Sequence, residues 1–220
     1  MKVDSAYSPL GEFHMEFSRE IYGIQSNFGQ KLIVHGHPRQ LTGDRLAVVS
    51  VLLLGEAVGS TLDVGRAVSS RVASQISNFV GVETVTVQNV VDSPPSNNHG
   101  GLEIVLDPNL TRLDRCEDEL GRRRMLFVDL PSDKYAGRLF TFDSIQMTSN
   151  AYVFSSSVNS FSPISVLRSL LALVVLFSSD LSVSRVSISK ELLAGSESNE
   201  FVKLQDLLNS IELNLAIEGE

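Results

Sequence analysis

Apolar and polar residues alternate over Glu12–Ser18 (EFHMEFS), with Phe13, Met15 and Phe17 on one side and Glu12, His14 and Glu16 on the other. A period of two predicts a strand with one buried and one wet face. Lys31–His37 (KLIVHGH) predicts a second strand, stopped by Pro38. Arg45–Leu54 (RLAVVSVLLL) is apolar on both faces and short, which predicts a central strand, and Gly55, Gly59 and Ser60 then break the chain. From Val64 to Val80 the spacing turns helical, with Val64, Val68, Val72, Ile76 and Phe79 on one stripe. Asp63 or Thr61 is placed to cap that helix and Gly81 to end it. Val82–Val91 is β-branched and predicts a strand, Asp92–Gly101 (DSPPSNNHGG) a surface loop, and Leu102–Leu106 a further strand. Asn109–Arg124 is charged and reads as a helical turn or an exposed loop.

In the second half, Met125–Leu130 and Arg138–Met147 predict strands joined as a hairpin around Ser132–Gly137. Ser149–Ser162 is serine-rich without a clear period. Pro163 suits a first helical turn, and Ile164–Phe177 continues as a largely buried helix through the unbroken apolar run Leu170–Phe177. Leu181–Ser189 predicts a strand whose alternation slips at Arg185–Val186, the mark of a bulge. Ser198 or Asn199 caps a last helix, Glu200–Leu215, with Phe201, Leu204, Leu207, Leu208, Ile211 and Leu215 as its apolar stripe. Strands, a helix, more strands and a closing helix–strand–helix predict one α+β domain over residues 1–220. Its sheet is expected to be mainly antiparallel, with two to three packed helices, and residues 92–101 are the only place for a break.

Composition narrows the function classes. With 220 residues, 43% of them apolar and 20% charged, the chain belongs to the globular class and is long enough to bury a core without staples. The single cysteine, Cys116, rules out an internal disulfide framework, so a reducing, cytoplasmic setting is expected. Met1–Leu10 lacks the pattern of a secretory signal, and the longest apolar run, eight residues, is far below the roughly 18–20 needed to span a bilayer. The net charge of −8 is divided evenly, with 7 basic against 11 acidic residues in 1–110 and 11 against 15 in 111–220. A diffuse acidic surface disfavours nucleic-acid binding as the main activity, since that affinity comes from neutralising phosphates.

Candidate chemistry is sparse. His35 and His37 stand two apart on one predicted strand and His14 lies on the wet face of the preceding one, so pairing of these strands would bring three imidazoles together as a tris-His site for zinc or another divalent metal. Gly29-x5-His35-x-His37 resembles the opening of the first cupin motif over nine residues. The glutamate of that motif would fall at Leu41 or Thr42, and the second motif is not present. The alternative for all three histidines is ordinary hydrated surface positions. Cys116 lies in Arg112–Glu119 (RLDRCEDE), where acidic neighbours oppose thiolate formation. Arg122, Arg123 and Arg124 form the one compact basic run, which suits a phosphate, an acidic partner or RNA, or simply balances Asp114 and Glu117–Glu119. The pairs Asp129/Asp133 and Asp114/Asp118 are available for acid–base work but are not distinguished by spacing. Glycine-rich nucleotide loops, a nucleophile elbow and a His-Glu-x-x-His motif are all missing. Ser93 before Pro94 is a generic phosphorylation position.

A complete folding pattern without a catalytic set leads to the expectation of a non-enzymatic structural or assembly protein, homo-oligomeric, cofactor-free and of the viral or accessory kind. Its interface would use Phe201, Leu204, Leu208 and Ile211 of the last helix, beside Leu181–Ser189 as an edge strand. The alternatives are a metal-dependent enzyme using His14, His35 and His37, and a binder of nucleic acid or anionic surfaces through Arg122–Arg124.

Overall fold

A computed structural model describes residues 1–21, 24–81, 85–92, 101–106, 124–131, 134–141, 144–158, 163–193 and 198–218. The chain opens with three antiparallel strands, β1 (Lys2–Tyr7), β2 (Phe13–Ile21) and β3 (Ile24–Val34). The alternation over residues 12–18 acts as expected: Phe13, Met15 and Phe17 are buried, and Phe13 and Met15 stand opposite Val34 and Leu32.

Gly43–Leu54 is a helix, α1, where the pattern predicts a strand. An all-apolar segment of this length reads the same whether it is a buried strand or a buried helix. Its caps decide the matter. Thr42 accepts a hydrogen bond from the Arg45 backbone N–H, and Gly55 N–H donates to Val51 O at the other end. Nearly the whole helix is buried, because it is enclosed by the sheet and other helices, so no polar face is needed.

After a 3₁₀ turn (Gly55–Val58) come β4 (Thr61–Leu62), β5 (Val68–Ser69), α2 (Ser70–Val80), β6 (Thr86–Val87) and β7 (Val90–Val91). β4 pairs with β6 and β5 with β7, each in parallel. The helix begins later than Val64 because Ser69, rather than Thr61 or Asp63, supplies the cap, accepting from Val72 N–H; Gly81 ends it in the left-handed region as expected.

The remaining elements are β8 (Leu102–Leu106), β9 (Arg124–Pro131), β10 (Arg138–Phe140), β11 (Ser144–Ser149), α3 (Ala151–Val158), α4 (Pro163–Phe177), β12 (Val183–Ile188), a 3₁₀ turn (Lys190–Leu193), α5 (Ser198–Asn209) and β13 (Asn214–Ile217). The serine-rich segment therefore carries a helix, and α4 is the buried helix that its apolar run predicts.

The main sheet has the order β1-β2-β3-β11-β9-β8-β12-β13, with β10 beside β11. The class is α+β. The antiparallel pairs are those of β1–β2–β3, the β3–β11 junction and β10–β11. From β11 to β13 every pair is parallel. Within this half β8 comes first in the chain, β9 and β11 extend one side, and β12 and β13 extend the other, which is a doubly wound order reversing between β8 and β12.

This order revises three expectations. β9 and β11 run parallel, so no hairpin joins them; β10 forms the antiparallel pair with β11 instead. β12 lies between β8 and β13 and is not an edge, and its irregularity falls between Val183 and Arg185, just before the predicted slip. The last helix ends at Asn209: Leu213 N–H donates to Leu208 O, Glu212 adopts φ 62°, and the chain turns so that Leu215 enters β13. The main core lies between one sheet face and the helices, while Val105, Val128 and Leu130 form a small cluster on the other face. Among the described residues, no helix is long and apolar enough to cross a membrane.

Candidate functional site

The turn from Ser8 to Glu12 joins β1 to β2. Ser8 N–H donates to Glu12 O at 2.9 Å, and Gly11, at φ 80°, takes the left-handed position. This places the Glu12 side chain beside His14 of β2 and next to the end of β3. His14 Nε2 lies 3.1 Å from Glu12 Oε2, and His35 Nε2 lies 3.6 Å from Glu12 Oε1. Ser8 Oγ donates to Glu12 Oε2 at 3.2 Å. The His14 hydrogen bond, followed by that of Ser8 and the nearby His35 charge, holds the Glu12 carboxyl below its usual range against the opposing effect of burial.

His37 does not join them. β3 ends at Val34, so the strand alternation that would keep His35 and His37 on one face stops before either residue. Gly36 makes the bend: its N–H donates to Val34 O, and a Cβ there would lie 2.7 Å from Phe177 Cζ. His37 instead stacks on Tyr7, with ring centroids 4.0 Å apart and planes 19° from parallel. The Tyr7 hydroxyl donates to Pro38 O at 2.5 Å, and burial raises its pKa. Two of the three predicted imidazoles thus converge on a carboxylate that the histidine spacing did not single out. Glu12-x-His14 on one strand opposite a histidine on the next is the sequence signal for that trio. Among the described residues, no group of three or more His, Cys, Asp or Glu side chains is arranged to hold a metal ion. The chemistry open to the trio itself is proton exchange between a carboxylate and two imidazoles.

Two other carboxylates stand out. Asp129, near the end of β9, accepts a hydrogen bond from Ser149 Oγ at 2.8 Å, and burial pushes its pKa up to about 7. Its supposed partner Asp133 lies outside the described residues. Glu103, the second residue of apolar β8, is buried on the far face of the sheet, where it accepts from Ser187 Oγ and lies 3.7 Å from Arg185 Nε. A single charge inside LEIVL is its signal in the sequence.

Cys116, Arg122 and Arg123 lie outside the described residues, and Arg124 opens β9. The last helix has a different role from the expected interface. Leu204, Leu208 and Ile211 are buried in the chain's own core and Phe201 packs at its margin, so this stripe is not available to a second copy. The exposed apolar side chains stand elsewhere. Leu139 (53%) and Phe140 (45%) of β10, and Tyr135 just before it, face solvent, with the Arg138 guanidinium 5.8 Å over the Phe140 ring.

No protein-family model, curated protein or solved structure matches this chain. Function therefore rests on its own residues.

Proposed function

We propose that the chain is a non-enzymatic structural protein that assembles with further copies of itself, and that the contact is the free edge of β10. The observation that carries this reading is β10 itself. It pairs with β11 along one edge, has no second partner strand among the described residues, and all three of its side chains are exposed. An apolar edge strand is a template for another strand, and folded proteins ordinarily blunt such edges. Two copies related by a two-fold axis would bring β10 antiparallel against β10, making the patch its own complement.

Native mass spectrometry of untagged protein tests the reading, comparing the parent chain with the double variant Leu139→Lys, Phe140→Lys. The parent is expected as a discrete oligomer and the variant as a folded monomer. A monomeric parent, or an oligomer indifferent to the substitutions, would remove the proposal. A monomer carrying one stoichiometric metal ion would move the reading to a metal-dependent enzyme centred on the histidines.

A further inference from the structure

The ladder between β10 and β11 fixes which backbone groups of β10 point outward. Its register sets Arg138 opposite Met147, Leu139 opposite Gln146 and Phe140 opposite Ile145. One residue further on, Thr141 N–H donates to Ser144 O at 2.9 Å. In an antiparallel pair, residues that exchange hydrogen bonds alternate with residues that do not. Thr141 and Leu139 therefore direct their N–H and C=O groups towards β11, while Arg138 and Phe140 direct theirs to the free edge. Arg138 and Phe140 share one face of the strand, with the guanidinium 5.8 Å over the ring, and Leu139 stands on the other.

A second copy meets this edge with the same outward residues, and only outward residues bond to one another. Under two-fold symmetry the alignments that satisfy this set arginine against arginine, phenylalanine against phenylalanine, or each arginine against the partner's Phe140. The first places like charges directly across a ladder, which is destabilising. Each of the first two engages only one outward residue of each β10. The third engages both, and so doubles the backbone hydrogen bonds that β10 makes.

We propose that the β10 contact takes this third register, with Leu139 on the two-fold axis and Arg138 beside the partner's Phe140. The inference rests on the reading above, in which the free edge of β10 joins two copies. On one face the two Leu139 side chains meet at a non-hydrogen-bonded position, the closer kind, with Cα atoms about 4.5 Å apart. On the other face each guanidinium has two rings in reach, its own Phe140 and the partner's Phe140, and no second guanidinium directly across from it. A strand of three residues is too short for its apolar pattern to fix alignment by itself. Arg138 supplies what the pattern lacks: its charge disfavours the slipped alignment, and its contact with an aromatic face favours the paired one.

Disulfide trapping reads the register. Cys116 is the only native cysteine, so each variant is made in a Cys116→Ser chain. Leu139→Cys then sets two thiols across the axis, within the Cα separation of about 4.4–6.8 Å that a disulfide spans, and a glutathione redox buffer is expected to yield a covalent dimer. Linkage is measured at a concentration where native mass spectrometry finds the reduced variant oligomeric. Val153→Cys, at an exposed position of α3, reports random collision and is expected to stay unlinked. Adding Arg138→Ala to Leu139→Cys should slow linkage about three-fold while the oligomer persists. The parent chain gives a reading without substitutions: hydrogen-exchange protection of the Arg138 and Phe140 amides should rise with protein concentration, and that of Leu139 should not. A monomeric parent removes the contact and the register together. An oligomer whose Leu139→Cys chains link no faster than Val153→Cys chains, or link at an unchanged rate after Arg138→Ala, overturns the register and leaves the β10 contact standing. Concentration-independent exchange at Arg138 and Phe140 in an oligomeric parent overturns both.

Discussion

Asp129→Asn should stabilise the protein at pH 8 and not at pH 4. The Asp129 carboxyl titrates near 7 in the folded chain against 3.8 for the ordinary group, chiefly because burial penalises its charged form. Between those values the folded state holds a proton that the unfolded chain has released. Stability therefore falls as pH rises, by about 1.4 kcal/mol per unit, and is flat above 7. The full span amounts to a ceiling of about 4 kcal/mol. Asparagine keeps the oxygen that accepts from Ser149 Oγ and carries no charge at any pH. Its amide nitrogen can meet the Ser149 backbone N–H unfavourably, which would add a constant offset of about 1 kcal/mol without changing the slope. The quantity to measure is thus the difference in unfolding free energy between variant and parent, from urea titrations at pH 4, 5, 6, 7 and 8 at fixed ionic strength. Every other titrating group is common to both chains and cancels. A difference climbing through pH 4–7 and levelling beyond supports the burial of this carboxyl. Parallel curves would show that Asp129 titrates as an ordinary carboxylate and refute it.

The backbone geometry of α1 yields two further predictions. Gly43→Ala should cost more than 3 kcal/mol, or prevent folding, because a Cβ at that position would lie 2.0 Å from the Ala67 carbonyl oxygen, a backbone atom with no rotamer to escape into; urea unfolding, or the yield of folded protein, checks it. Thr42→Ala should cost about 1 kcal/mol through loss of the bond from Arg45 N–H, with Thr42→Ser recovering most of it in the same assay.

The strand over residues 12–18, part of β3 and the buried α4 were legible because period-two alternation and long apolar runs report burial directly, whereas β1 was not anticipated. α1 was not, since its enclosure on all sides erased the helical period that would have betrayed it, leaving Thr42 and Gly55 as the only local clues. The parallel pairing of β9 with β11, and of β8 with β12, is set by contacts between distant segments and leaves no local mark. The same limit governs the site. His14 and His35 could be nominated from their faces, but the place of Glu12 depends on how a five-residue turn folds back, and that of His37 on where β3 stops. Asp129 looked like one more carboxylate because burial, not spacing, sets its pKa.

The sheet joins its halves late. Phe17 of β2 meets Phe154 of α3 with ring centroids 5.1 Å apart, across more than half the length of the chain. A ribosome adding about 5–20 residues per second needs roughly 7–27 s to travel from one ring to the other. During that time the emerged β1–β2–β3 meander can form its own ladder but has no α3 to cover Phe17, and β8, though joined by β9 before the interval ends, still lacks β12 on its other side. Such long-range closure slows folding. Until α3 is made, Phe17 therefore lacks the ring that covers it in the finished fold, so the meander's apolar face is completed only by residues from the second half of the chain.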